Sequence, residues 1–243
     1  MASHSIVLVH GAWMGAACWD KVAADLRGRG LDVTAVELPG HGRDTTPAGA
    51  LSMAGYIDAV CVALPAAGRV LLVGHSMAGM VISGVAEKLP ERIARLVYVA
   101  AYLPQDGQSL YQLSQGDADS LVPRWWRQSD PQAWSPAWID KDGIAEVFCA
   151  DGTAADRQFL VDTHKPEAVP PLATPVQLTP ARFGSVPRVV VHTLQDRAVS
   201  PGLQRRMLAD AGGAARVVEL DTAHAPMLTQ PRALADVIAD ALR

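Results

Sequence analysis

Cysteine is scarce in this 243-residue chain: Cys18, Cys61 and Cys149 are all it has. An odd number with no metal-type spacing argues against a disulfide framework or a zinc site, and reads as free thiols in a reducing cytoplasm. No apolar run approaches the roughly 18 residues that a membrane span needs. No basic segment precedes the apolar Ile6-Val7-Leu8-Val9, and that run is too short for a secretory leader. Neither sign of charge dominates, the formal net charge being −4, so there is no electrostatic footprint for nucleic acid or an anionic membrane. Internal repeats and low-complexity tails are lacking too. What remains is a cytoplasmic globular chain, 49% hydrophobic, long enough for one α/β domain with a large core.

Short β-branched runs alternate with longer helical stretches, which calls for a mostly parallel sheet covered on both faces. The runs predict six strands: Ser5 to Val9, Val33 to Glu37, Val70 to Val73, Arg95 to Ala100, Arg188 to Thr193 and Arg216 to Leu220. Helices are expected over about Trp19 to Arg29, Ser52 to Leu64, Ser76 to Lys88, Pro201 to Ala211 and Pro231 to Leu242. Gly28 and Gly30 then read as a helix stop rather than a phosphate loop, because no strand precedes them. The alternation fails between about Leu103 and Val186, where Trp125, Trp126, Trp134 and Trp138 are followed by a helix-like Thr153 to His164 and a proline-rich return. An insertion that leaves the sheet after one strand and rejoins it before the next can sit as a cap over a pocket at the strand ends. The expected organisation is one compact domain, with core at 1–102 and 187–243 and the cap at 103–186.

The chemistry is concentrated in Gly74-His75-Ser76-Met77-Ala78-Gly79, placed between an apolar strand and a helix. A serine held on such a cramped turn is exposed to a base and to backbone N–H groups that can meet a developing oxyanion. Ala78 stands where this motif has its second glycine, with Gly79 next to it. For the base, His224 follows the last strand by four residues and so lies at the same sheet edge as Ser76. His75 adjoins the serine and must point elsewhere; His10, in His10-Gly11-Ala12, suits a structural hydrogen bond. His4, His41, His164 and His192 read as surface or satisfied core residues. For the carboxylate that orients the base, Asp196 follows the fifth strand, giving the chain order Ser76, Asp196, His224. Asp221, only three residues from His224, and Asp106 are the rivals. The oxyanion donors are expected to be the N–H groups of Met77 and of Ala12, in the loop after the first strand.

These stretches resemble the α/β-hydrolase superfamily, and within it the methylesterase and hydroxynitrile lyase branch. The resemblance is carried by Val7-Leu8-Val9-His10-Gly11-Ala12-Trp13, Glu37-Leu38-Pro39-Gly40-His41-Gly42, Gly74 to Met80, Ala101-Tyr102-Leu103-Pro104 and Thr174-Pro175-Val176. Asp196 with Val199-Ser200-Pro201 and Gln204-Arg205, then His224-Ala225-Pro226-Met227 before Gln230-Pro231, complete it. It spans almost the whole chain, more loosely in the cap. The resemblance implies the α/β-hydrolase fold with an inserted cap, hydrolysis of small carboxylic esters, no cofactor or metal, and often a dimer, which leaves a homodimer open here. The lyases carry a lysine directly after the catalytic histidine and a threonine in the early oxyanion loop. This chain has Ala225 and Ala12, and a neutral site favours hydrolysis over cyanohydrin cleavage.

The expected reaction is therefore a serine esterase's acyl transfer on small to medium, apolar or aromatic esters, with Trp13, Trp126, Trp134 and Met227 as candidate pocket residues. Four alternatives stay open: lactones, thioesters or large hydrophobic esters such as pyrethroids; carbon–carbon bond hydrolysis; hydroxynitrile lyase chemistry; and ligand binding on a hydrolase fold. Fold analogy reaches the reaction class and stops there.

Overall fold

Uninterrupted runs of Val, Ile and Leu can lie only in strands covered on both faces, and in the computed structural model they form one six-stranded sheet. The structure describes residues 5–243; His4 lies outside the described residues. In chain order the strands of this sheet are β1 (Ser5–Val9), β2 (Asp32–Val36), β3 (Val70–His75), β4 (Ile93–Val99), β7 (Arg188–Thr193) and β8 (Arg216–Leu220). Two short strands, β5 (Trp126–Gln128) and β6 (Ala137–Ile139), lie between β4 and β7 and pair only with each other. The sheet order is β2-β1-β3-β4-β7-β8, and every neighbouring pair is parallel. All six residues of β3 are buried, so the sheet is covered on both sides at its centre. The covering helices are α1 (Asp20–Gly28), α2 (Met53–Ala63), α3 (Ala78–Lys88), α9 (Pro201–Asp210) and α11 (Pro231–Asp240). Helix α1 packs on α11, and α2 on α3. Local chemistry sets several starts: the Ser52 hydroxyl accepts from Gly55 N–H, the Ser200 hydroxyl accepts from Leu203 N–H, and Pro201 and Pro231 open their helices.

Three expectations shift. The helix predicted from Ser76 begins at Ala78, because Ser76 has φ +54°, a conformation no α-helix accommodates. The strands predicted from Val33 and Arg95 begin earlier, at Asp32 and Ile93. The β5–β6 hairpin is not among the predicted strands; each arm is only three residues long, too short to show alternation.

Between β4 and β7 the chain builds a second layer: α4 (Leu110–Gln115), α5 (Val122–Trp125), the hairpin, α6 (Lys141–Phe148), α7 (Ala154–Thr163) and α8 (Val169–Ala173). Thr153 opens α7 with a reciprocal capping box to Asp156. Leu110, Val122, Trp126, Phe148 and Leu172 from this layer share one cavity with Ala12 and Ser76, which follow β1 and β3. The inserted layer thus lies over the carboxyl ends of the central strands, where ligand sites of parallel sheets form. A last short helix, α10 (Pro226–Thr229), precedes α11. Among the described residues, no helix is long and apolar enough to cross a membrane.

Candidate active site

Strand β3 delivers Ser76 to a turn that could not form around larger neighbours. A Cβ on Gly11 would lie 2.8 Å from Ser76 Cβ and 2.9 Å from His75 Nδ1, so the loop after β1 presses directly on the elbow. A Cβ on Gly79 would run into the Tyr102 carbonyl oxygen. The small residue the turn requires is therefore Gly79, and Ala78 is accommodated beside it. The turn is pinned from the next strand: Ser76 N–H donates to Val99 O at 3.2 Å, and Ser76 O accepts from Tyr102 N–H at 3.1 Å and Gly79 N–H at 3.0 Å. Left-handed backbone at a non-glycine costs on the order of 1–3 kcal/mol, and these bonds hold it.

Asp196 sits in the loop after β7, only 4% exposed. Its Oδ1 accepts from Ala198 N–H at 2.8 Å and Val199 N–H at 2.9 Å. Its Oδ2 accepts from the Thr193 hydroxyl at 2.8 Å, Gln204 Nε2 at 3.1 Å and His224 Nδ1–H at 2.8 Å. Donating Nδ1–H leaves the His224 Nε2 lone pair free, the tautomer a general base needs. The rivals point away: Asp221 accepts from Gln195 Nε2 at 2.8 Å, and Asp106 from Leu178 N–H at 2.8 Å.

His75 turns its ring to the loop of His224, donating Nε2–H to the His224 carbonyl at 2.8 Å, with ring centroids 4.6 Å apart. Burial, then the neighbouring His224 ring, holds His75 well below the usual histidine range, so it is neutral. His10 bridges two loops, donating Nδ1–H to Gly11 O at 2.9 Å and accepting Leu38 N–H at 3.1 Å. Burial pushes it down to about 3. His41 is buried among polar partners, whereas His192 has a buried Nε2 with no partner among the described residues. His164 accepts Ile139 N–H at 3.2 Å, and burial lowers it to about 4.

Ala12, Trp13, Ser76 and Met77 line one cavity of about 280 Å³. Among the described residues, neither Ala12 nor Met77 N–H donates to another protein group, while their neighbours Trp13 and Ser76 both do. Tyr102, Trp126, Phe148 and Leu172 make apolar walls, and Tyr111, Ser114 and Gln115 add neutral polar groups. Among the described residues, no charged side chain lines it. Phe148, which lines the cavity, also packs on the His224 ring, centroids 5.7 Å apart.

Two of the four candidate pocket residues stand in this lining, Trp13 and Trp126, their rings edge-on at 5.9 Å. The other two are corrected. Trp134, in the hairpin loop, is 51% exposed and outside the lining, because the turn at 131–134 swings it to solvent. Met227, in α10, has no exposed surface and is core packing. Sequence reasoning missed Tyr102, Phe148 and Leu172, which look like ordinary core residues along the chain. Gln204, part of the resemblance but given no role there, reaches Asp196 with its Nε2 while its Oε1 accepts Thr193 N–H at 3.1 Å. Among the described residues no group of His, Cys, Asp and Glu is arranged to hold a metal ion.

Comparison with known proteins bears on the family and the fold. A family described as the alpha/beta hydrolase family matches residues 6–237. Methylesterase 2 of Arabidopsis thaliana is 29% identical, covering 95% of this chain and 92% of that relative. A pyrethroid hydrolase of Sphingobium wenxiniae is 30% identical, covering 99% of this chain and 88% of its own length. Among solved structures, polyneuridine aldehyde esterase superposes with a TM-score of 0.88 at 24% identity, covering 99% of this chain and all (100%) of that one, a likeness of fold.

Proposed function

The chain belongs to the alpha/beta hydrolase family as an enzyme of the esterase type, and on that premise we propose that it cleaves small to medium neutral carboxylic esters through an acyl-serine. The observation that carries the reading is a single arrangement. Asp196 fixes the tautomer of buried His224, and Ser76 is held at φ +54° on the wall of an uncharged cavity, beside two unengaged N–H groups.

In this reading, Ser76 Oγ attacks the ester carbonyl carbon and its proton passes to His224 Nε2, while Asp196 stabilises the imidazolium. The carbonyl π electrons move to oxygen, which Ala12 and Met77 N–H receive. Collapse expels the alcohol, which takes the proton from His224 and leaves an acyl-enzyme. Water, deprotonated by His224, repeats the sequence and releases the acid. The wholly neutral lining supports a substrate without charge near the reacting carbonyl, since an ion there would lose hydration without a partner. A cavity of about 280 Å³ lies at the small end of ligand pockets. The second reading, large hydrophobic esters, is favoured by the relative named a pyrethroid hydrolase. A cytoplasmic setting is part of the proposal, supported by Cys18, Cys61 and Cys149 all being unpaired.

The test is steady-state hydrolysis of p-nitrophenyl acetate, butyrate and octanoate, and of a pyrethroid, by wild type and Ser76→Ala. We expect multiple turnovers, best on the short chains, and a fall on the order of 10⁴-fold or more in the variant. Equal slow rates in both proteins would sink the serine mechanism and favour a ligand-binding role. A pyrethroid preferred over butyrate would move the second reading to the front.

A further inference from the structure

Glu167 is a carboxylate without exposed surface that the acyl-transfer steps do not use. It comes from the cap, in the proline-flanked return before α8, where its backbone exchanges hydrogen bonds with Ala137 of the hairpin at 2.7 and 2.8 Å. The side chain then crosses into the core. Oε1 accepts from the Tyr56 hydroxyl at 2.9 Å; Oε2 accepts from His41 Nε2–H at 2.7 Å and from Trp13 N–H at 3.3 Å. His41 also donates Nδ1–H to Pro39 O at 2.9 Å, so both ring nitrogens face acceptors, an arrangement that favours the imidazolium. Burial opposes that charge, but the facing Glu167 carboxylate outweighs it and raises His41 above its ordinary value.

The same part of the cap takes the remaining polar groups of Trp13. Its indole Nε1–H donates to Ala137 O at 3.0 Å, and its carbonyl accepts from Lys165 N–H at 3.1 Å. All three hydrogen-bonding groups of Trp13 thus end on cap residues, and none on the core that carries it. Trp13 holds φ +62°, a region that a bulky residue keeps only when its surroundings over-determine it. Its N–H and the Ala12 carbonyl share one rigid peptide plane, so anchoring that N–H restricts ψ of Ala12, one of the two dihedrals that relate this plane to the Ala12 N–H.

We infer that Glu167 is a positioning residue for the oxyanion hole, reaching from the cap to hold the Ala12–Trp13 peptide so that the Ala12 N–H faces the reacting carbonyl. The inference rests on the serine-esterase reading. It makes the cap part of the catalytic frame as well as a cover, because an oxyanion donor acts only where it is preorganised. Tyr56 and His41 keep the carboxylate in place by satisfying its other lone pairs, and Glu37, 3.6 Å from His10 Nε2, orders the neighbouring loop separately through Ala16 N–H.

The experiment compares wild type with Glu167→Leu, which removes every acceptor, and Glu167→Gln, which keeps one acceptor oxygen. Each is assayed on p-nitrophenyl butyrate and titrated with an alkyl trifluoromethyl ketone and the methyl ketone of equal chain length. The trifluoromethyl ketone forms a bond from Ser76 Oγ to its carbonyl carbon, the serine proton passing to His224 and the π pair to the oxygen, so its affinity reads the oxyanion hole. The methyl ketone reads the cavity alone. For Glu167→Leu we expect kcat to fall about 10- to 100-fold with KM within about twofold. Trifluoromethyl ketone affinity should drop in parallel and methyl ketone affinity hold, with Glu167→Gln between Leu and wild type on both readouts. An unchanged ketone ratio in Glu167→Leu, or equal weakening of both ketones, overturns the inference. If the Leu variant does not fold, an unchanged ratio in Glu167→Gln overturns it as well. Ser76→Ala in the same series separates the premises: retained activity there defeats the esterase mechanism itself, whatever Glu167 does.

Discussion

At the scale of single residues, four non-glycine residues among those described hold left-handed backbone. Ala100 and Trp134 stand outside the cavity lining, while Trp13, at φ +62°, and Ser76, at φ +54°, belong to it. Around them, histidines are sorted by their partners. His10 and His75 each donate one ring N–H to a carbonyl and stay neutral, whereas Glu167 and a carbonyl together favour the charged form of His41. This sorting has a pH consequence. His10, held at about 3, and His164, at about 4, bind a proton readily only when unfolded, so below the unfolded value near 6.5 the unfolded chain takes up protons the fold refuses. His75 acts in the same direction, while the raised His41 opposes them by favouring the fold below about 6.5. His10 alone corresponds to about 2 kcal/mol lost between pH 8 and pH 5. Thermal unfolding should therefore show Tm falling as pH drops from about 7.5 to 5; a flat or rising Tm would contradict neutral burial of these rings.

At the scale of elements, the β3–turn–α3 unit depends on how closely backbones approach. The sequence motif lacks a glycine at position 78, yet the structure puts the tight contact at Gly79, whose Cα faces the Tyr102 carbonyl in the segment after β4. Gly79→Ala is expected to cost about 1–3 kcal/mol through overpacking, and to lower kcat by shifting the Met77 N–H two residues before it. Ala78→Gly should cost no more than about 1 kcal/mol, the intrinsic helix preference. Urea midpoints of the two variants compare them; equal loss would show that the close approach at Gly79 is not what constrains the turn. The strands were legible in the sequence because buried parallel strands need continuous β-branched runs. The start of α3 was not, because nothing in the composition of Ser76-Met77 reports a left-handed φ. The β5–β6 hairpin was hidden for another reason: its three-residue arms are stabilised by the cap packed around them, including the Ala137 bonds to Glu167.

At the scale of the whole molecule, the inserted layer shapes what the core chemistry can reach. Its residues supply most of the cavity walls, and it is tied to the loop of Asp196 by Leu121 N–H to Arg197 O and the Ser120 hydroxyl to Ala198 O, each 2.8 Å, and by Ser200 N–H to the Asp117 carboxylate at 2.8 Å. Trp126, edge-on to Trp13, closes one wall, so Trp126→Ala should enlarge the cavity. The ratio of kcat/KM for p-nitrophenyl octanoate over acetate is then expected to rise on the order of tenfold; an unchanged ratio would remove Trp126 from the substrate's path. The chain alone determined the six-stranded parallel architecture, the order Ser76, Asp196, His224 and the loop of Ala12, because strand runs, tight turns and positions after strands are local patterns carried along the backbone. Only the tertiary structure decided that Trp126 faces the cavity while Trp134 faces solvent, that Met227 is core, and that Glu167 reaches Trp13 from 154 residues away. Those outcomes depend on which surfaces the cap and the sheet present to each other, and such contacts leave no periodic trace in either segment.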